Sequence, residues 1–290
     1  MQLMITGSSG QVGTELKQQL AGQAELLTPS RSELDLANAT AVQGYLALHR
    51  PQAIVNAAAY TAVDQAETEQ ELALAVNAQL PELLARYCAQ TGAYLLHYST
   101  DYVYPGTGTE PWQEDSPTGP LNYYGYSKLK GDLAVLAQCP QAVIFRTSWV
   151  YSGQGKNFRS TILRLAKEKT GLSIVADQIG APTPASLIAA ISVQTLQRYL
   201  QGQPIAGGVY HLAPRGYGSW YDFAKAIVHQ AIKQGETLAL QPEAIQPIPS
   251  SDYPTPAKRP LNSRLCVDKL EHALGIRLPE WQQLLASMTQ

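Results

Sequence analysis

The chain has 290 residues, of which 45% are hydrophobic and 15% charged, and a formal net charge of −2, the profile of an ordinary soluble globular protein with one large domain or two small ones. Near-neutral charge without a long Lys/Arg run gives no electrostatic reason to expect nucleic acid or an anionic membrane as partner, so a small molecule is expected. Cys88, Cys139 and Cys266 are far apart and form no C-x-x-C pair, which argues against a disulfide framework or a cysteine zinc site and fits a reducing compartment.

The opening MQLMITG reads directly as a strand and leaves no room for a charged leader with an apolar core. No run of about eighteen apolar residues occurs, and a cytoplasmic protein is expected. Short apolar runs at 3–6, 25–28, 53–57, 94–99 and 142–147 alternate with helical patterns. Strand and helix alternating in this way predict an α/β fold with a parallel sheet covered on both faces, which binds ligands beyond the carboxyl ends of its strands.

Directly after the first run comes Gly7-Ser8-Ser9-Gly10-Gln11-Val12-Gly13, followed by a helical pattern over 15–20. Glycines there let the backbone turn sharply and approach a pyrophosphate, whose charge the amide N–H groups and the positive end of the helix stabilise. The position at the first strand-to-helix junction, more than the pattern itself, predicts dinucleotide binding. The second run ends at Thr28 and continues Pro29, Ser30, Arg31, with no acid at the strand tip. An arginine there suits the 2′-phosphate of NADPH, while Glu33 or Asp35 nearby keeps NADH as the alternative.

Three tyrosines precede a lysine by four residues: Tyr124 with Lys128, Tyr126 with Lys130, and Tyr221 with Lys225. Spacing alone does not separate them. On a helical wheel Leu129, Leu133 and Leu136 form an apolar stripe closer to Tyr126 than to Tyr124, so Tyr126 reads as packing or rim and Lys130 as solvated. Tyr221 and Lys225 read as part of an amphipathic helix that Ser219 caps. After Trp149 the pattern loosens, and 241–260 carries six prolines, so this half reads as a lid built on the sheet.

The stretches GSSGQVG, NAAAYTAVD, HYSTDYVY, PLNYYGYSK, FRTSWVY, DQIGAPT and YPTPAKRPLNSRL, which run in order from residue 7 to 265, carry a resemblance. The sequence resembles the extended short-chain dehydrogenase/reductases and, within them, the dTDP-4-dehydrorhamnose reductase family. The resemblance implies a doubly wound parallel Rossmann sheet with a smaller, interleaved α+β substrate domain. Residues 1–150 and 184–213 would form the dinucleotide-binding domain, and 151–183 and 214–290 the sugar-nucleotide-binding domain.

It selects Tyr124 and Lys128, because Gly125 follows the tyrosine and a strand ending in Ser-Thr precedes it. The implied reaction is reduction of the C4 ketone of dTDP-4-dehydro-β-L-rhamnose by NADPH. Tyr124 is the proton donor, Thr100 a hydrogen-bond donor to the developing oxyanion, and Lys128 the cation that makes the phenol acidic and holds the nicotinamide ribose.

By the same resemblance Gly10, Gln11 and Val12 cover the pyrophosphate, Asp35 and Leu36 border the adenine, and Ala59, Tyr60 and Thr61 line the cofactor's middle. Ala57 permits close approach, and Tyr98 faces the cofactor. Asp101 and Trp149 are implied substrate contacts; Asn157, Gln178 and Arg259, with Lys258 beside it, are candidates for the nucleoside diphosphate.

No metal is expected. His49, His97, His211, His229 and His272 have no ligand spacing, and acids that bridge metal-linked dimers in some relatives are missing around Ala185 and the terminal Met-Thr-Gln, so a monomer or weak homodimer is expected. Related 4,6-dehydratases carry Thr-Asp-Glu where this chain has Thr100-Asp101-Tyr102, so the extra acid/base group of elimination is absent. The rival readings are another sugar-nucleotide epimerase or dehydratase, and an NADP-binding regulatory subunit of the methionine adenosyltransferase type.

Overall fold

The computed structural model describes residues 2–288. In chain order the first part contains β1 (Gln2–Thr6), α1 (Gln11–Leu20), β2 (Glu25–Leu27), α2 (Ala39–His49), β3 (Ala53–Asn56), α3 (Gln70–Leu74), α4 (Leu80–Thr91), β4 (Tyr94–Thr100), α5 (Tyr123–Gln138) and β5 (Val143–Thr147). The second part contains β6 (Val150–Tyr151), α6 (Phe158–Glu168), β7 (Leu172–Val175), β8 (Ile179–Gly180), β9 (Thr183–Pro184), α7 (Ala185–Leu200) and β10 (Gly208–His211). It ends with β11 (Gly218–Ser219), α8 (Trp220–Lys233), β12 (Ile245–Ile248), α9 (Asp268–Leu274) and α10 (Trp281–Ser287).

All five runs expected as strands in the first 150 residues are strands, and with β10 they form a six-stranded parallel sheet in the order β10-β5-β4-β3-β1-β2. Strands β3, β4 and β5 are buried along their whole length, as a sheet covered on both faces requires. One face packs on α1 and α7, and the other on α2, α4 and α5. The strand order reverses at β1 and β3, which opens a crevice beyond their carboxyl ends where the glycine-rich turn lies.

The residue pattern after Trp149 did not reveal β10, which continues the sheet. At four residues, opening on a glycine, it is too short to show a strand period. Leu265, Val267, Leu270, Leu274 and Leu278 also pack into the sheet's core, although they lie far along the second part. A separate core joins Tyr151, Ile162, Phe223, Ile227, Ile245, Trp281 and Leu285 of β6, α6, α8, β12 and α10.

Ser219 caps α8: its side chain accepts from the Asp222 N–H at 3.0 Å, and the Asp222 carboxylate accepts from the Ser219 N–H at 2.8 Å. Ser219→Ala is expected to cost about 1 kcal/mol, read as a lower urea midpoint with an unchanged m-value.

Helix α5 buries the stripe that its leucines suggest only in part: Leu129 and Leu136 are half-buried against the core. Leu133 is 53% exposed and Tyr126 is 41% exposed, while Gly125, Ser127, Lys128, Gly131, Asp132 and Val135 face inward. Small residues on that face bring the helix close to its neighbours, and a charged pair fills the remaining space, so polarity alone misassigns the face.

Candidate active site

Gly10 begins α1 without a side-chain cap, which leaves the first amides of the helix directed at the crevice. A Cβ on Gly13 would lie 2.2 Å from the Gly7 carbonyl oxygen, so the tight packing of helix against turn needs glycine there. The turn forms one end of a cavity of about 790 Å³. Of the residues expected to hold a cofactor, Gly7, Gly10, Gln11, Val12, Arg31, Asp35, Leu36, Ala57, Ala59, Thr61, Tyr98, Tyr124 and Lys128 line it.

Gly13, Ser30 and Tyr60 do not line it. Gly13 packs beneath the turn, the Ser30 hydroxyl pairs with that of Ser32 at 3.0 Å, and the Tyr60 hydroxyl donates to Glu69 at 2.8 Å. Ser99, Thr147, Val150 and Ile188 are lining residues that residue patterns did not single out. Ser99 and Thr147 lay within quoted motifs; Ile188 arrives from α7 and has no local signal.

The acids near the second strand are engaged: Glu33 accepts from the Ser30 N–H at 2.7 Å, and Asp35 accepts from the Ala37 N–H at 3.0 Å. Arg31 is exposed at the cavity wall. Ser99 Oγ and Thr147 Oγ1 are buried and have no hydrogen-bond partner among the described residues. Two orphaned hydroxyls at strand ends, the uncapped first amides of α1 and an exposed guanidinium together fit a nicotinamide dinucleotide phosphate.

Thr100 ends β4; its hydroxyl donates to Asp101 at 3.1 Å and accepts from the Tyr102 N–H at 3.2 Å. Tyr124 lies in the first turn of α5, which Asn122 caps by accepting from the Gly125 N–H at 2.8 Å. Tyr102 stands edge-on to Tyr124, with ring centroids 5.6 Å apart. One turn later the Lys128 ammonium donates to the Tyr98 carbonyl at 2.6 Å. The other two pairs are simpler: Lys130 lies over the Tyr126 ring at 5.4 Å and Lys225 over Tyr221 at 5.3 Å, cation–π contacts outside the cavity.

The electrostatics correct one expectation. Burial pushes the Tyr124 phenol up to about 12; the Thr100 hydrogen bond opposes this, and the Asp101 and Asp132 charges add to it. Burial lowers Lys128 to about 8, with Asp132 opposing. The phenol is therefore not made acidic by its neighbour. It is held fully protonated at neutral pH, the form a proton donor needs, while the lysine titrates close to neutrality.

Among the substrate candidates, Asp101 is buried, pushed up to about 7 by burial, and hydrogen-bonded to Ser263. Gly180 lies against both Ser263 and Trp149. Trp149, with a left-handed φ of +48° that a bulky residue rarely adopts, stacks on Trp220 at 3.8 Å. Trp220 donates to Gln178 at 3.2 Å. A chain of contacts through Ser263, Gly180 and Trp220 thus links Asp101, Trp149 and Gln178, none of which lines the cavity, and neither Ser263 nor Trp220 has a role in the residue patterns.

Arg259 pairs with Asp64 at 2.9 Å, and its Nη1 is buried without a hydrogen-bond partner among the described residues. Asn157 departs from expectation: it caps α6 by accepting from the Ser160 N–H at 3.0 Å and donates to the Ser152 carbonyl at 3.0 Å. Its amide is occupied by local structure, as an asparagine before a helix commonly is. Thr289 and Gln290, of the terminal stretch without bridging acids, lie outside the described residues.

The RmlD substrate binding domain family matches residues 1–290. The chain is 46% identical over 286 residues to a dTDP-4-dehydrorhamnose reductase of Salmonella typhimurium, covering 97% of this chain and 95% of the relative. It is 43% identical over 286 residues to one of Escherichia coli K12, with the same coverage. Among solved structures, the Bacillus anthracis dTDP-4-dehydrorhamnose reductase in complex with NADP aligns with a TM-score of 0.89 at 33% identity, covering 98% of this chain and 96% of that one. The Clostridium acetobutylicum dTDP-4-dehydrorhamnose reductase aligns with a TM-score of 0.90 at 34% identity, covering 99% and 97%. Matched along its whole length and at this level of identity, the chain belongs to the RmlD family of dTDP-4-dehydrorhamnose reductases.

Proposed function

We propose that this protein reduces the C4 ketone of dTDP-4-dehydro-β-L-rhamnose to dTDP-L-rhamnose with hydride from NADPH. The observation that carries the reading is the meeting of Thr100, Tyr124 and Lys128 at the carboxyl end of β4, with Tyr124 and Lys128 on the wall of the cavity that begins at the glycine turn. The cofactor, when bound, supplies the hydride.

Tyr124 passes its proton to the oxygen that becomes negative as the ketone is reduced, and Thr100 hydrogen-bonds that oxygen. Lys128 holds the ribose and keeps positive charge beside the phenol as it loses its proton. Asp101 and Trp149 orient the sugar, and Gln178 and Arg259 take the diphosphate end. The orphaned Nη1 of Arg259 supports that role.

Residues 1–150 and 184–213 hold the cofactor in this reading, and 151–183 with 214–290 hold the sugar nucleotide. We place the enzyme in the cytoplasm as a monomer or weak homodimer, an assembly that sedimentation velocity reads directly. Among the described residues no helix is long and apolar enough to cross a membrane.

The test is NADPH oxidation by the purified protein with dTDP-4-dehydrorhamnose made in situ. Consumption of one NADPH per sugar supports the reading; conversion of dTDP-glucose to an epimer or 4-keto product without NADPH consumption overturns it. Arg31 carries the preference for NADPH. Arg31→Ala is expected to raise KM for NADPH roughly tenfold, by loss of a charged hydrogen bond, and to leave KM for NADH nearly unchanged. Equal effects on the two cofactors would remove Arg31 from that role.

A further inference from the structure

We propose that Asp132, anchored by Arg146, is a positioning residue: the buried counter-charge that keeps Lys128 an ammonium during the reaction. The inference rests on the functional reading above. Lys128 is 2% exposed, Asp132 0% and Arg146 4%. An unpaired ammonium in such an interior tends to lose its proton, so a lysine that must stay charged needs an anion nearby.

Asp132 follows Lys128 by one helical turn on the inward face of α5. Strand alternation brings the other groups to the same place. Ser99 of β4 and Arg146 of β5 are in register, and His97 lies two residues before Ser99, so all three point to the face that α5 covers.

The pairing with Arg146 has the form of an anchor. Arg146 Nε donates to Asp132 Oδ2 at 2.9 Å, but the guanidinium does not close a two-pronged contact. Its Nη1 donates to the Tyr104 hydroxyl at 2.8 Å, and Tyr104 is hydrogen-bonded to His211 Nε2 at 2.6 Å, which holds the arginine in place. Asp132 Oδ1 is left buried with no hydrogen-bond partner among the described residues. Arg146 and Asp132 form a buried ion pair at 2.9 Å, and the carboxylate charge opposes the lowering of Lys128 by burial and adds to the raising of Tyr124.

The other ionisable groups around this face do not replace it. His97 accepts from Asn56 through Nδ1 at 2.9 Å and is held well below its ordinary value by burial and by Lys128, so it is neutral. Asp101, beyond β4, is hydrogen-bonded to Thr100 and Ser263. Glu67 accepts from the Tyr123 N–H at 2.8 Å, before the start of the Tyr124 to Lys128 turn.

The experiment is the pH profile of kcat/KM for the wild type and Asp132→Asn, with NADPH and dTDP-4-dehydrorhamnose. Loss of the counter-charge is expected to move the alkaline limb down by about one to two pH units, read as at least a tenfold greater loss above the limb than below it. Asp132→Glu is expected to return the limb toward its wild-type position.

Because Asp132→Asn leaves Arg146 unpaired inside, the double variant Asp132→Asn with Arg146→Gln, which leaves neither charge, carries the same test with less risk to folding. A uniform loss of activity with an unmoved limb would make the pair purely structural and overturn the proposal. Failure of the wild type to oxidise NADPH at any pH would instead overturn the functional reading.

Discussion

Tyr124→Phe is expected to lower kcat by about 10²- to 10⁴-fold, the range a positioned general acid contributes, with NADPH affinity close to that of the wild type. The substitution removes one hydroxyl from the cavity wall and leaves the ring, its edge-on contact with Tyr102 and the Asn122 cap in place. Stopped-flow single-turnover reduction and cofactor fluorescence titration separate the two quantities. A loss smaller than tenfold would mean that another group delivers the proton. Since burial holds Tyr124 at about 12 and Lys128 at about 8, the alkaline limb of the wild-type profile is expected near pH 8 and belongs to the lysine.

Gly125→Ala is expected to be nearly as damaging without touching a reacting group. A Cβ there would lie 2.2 Å from the Tyr102 carbonyl oxygen and 3.0 Å from Pro120 Cβ, and neither a backbone carbonyl nor a proline ring can swing aside. The start of α5 must then shift away from the end of β4 and the turn after it, which carry Thr100 and Asp101. Overpacking of this kind costs about 1–3 kcal/mol, and a displacement of about 1 Å at the proton donor costs on the order of 10²-fold in rate. The expected result is a lower melting temperature together with a kcat loss near that size. Wild-type kcat in a folded Gly125→Ala protein would show that the donor's position is not set by this contact.

Much of this site was legible because its parts are local. The turn from Gly7 to Gly13 follows one strand and opens one helix, so its role can be read from neighbouring residues, and the five apolar runs of the first half show strand character by themselves. What the residue pattern by itself does not show is assembled over distance, and for the sheet strand within 184–213 the resemblance supplied what the pattern lacks. Strand β10 is too short to show a period, Ile188 reaches the cavity from a helix far along the chain, and Ser263 meets Asp101 across 162 residues.

Helix α5 misled for a different reason. Its leucines suggested an inward stripe, but close approach through glycines and a buried Asp132–Arg146 pair decided which face turns in. The acidity of Tyr124 was misjudged in the same way: four residues of spacing put a lysine one turn on, but in the packed structure its ammonium donates to the Tyr98 carbonyl and burial pushes the phenol up. Asn157, read as a ligand contact, starts a helix, a role that its place directly before Phe158 carries locally.

Transfer of deuterium from NADPH labelled at the reactive C4 position of the nicotinamide, followed by NMR of the sugar nucleotide, tests hydride delivery to the ketone most directly. The expected product is dTDP-L-rhamnose with one deuterium at C4 of the sugar, formed together with one oxidised cofactor. Turnover of the sugar with the label still on the cofactor would contradict it.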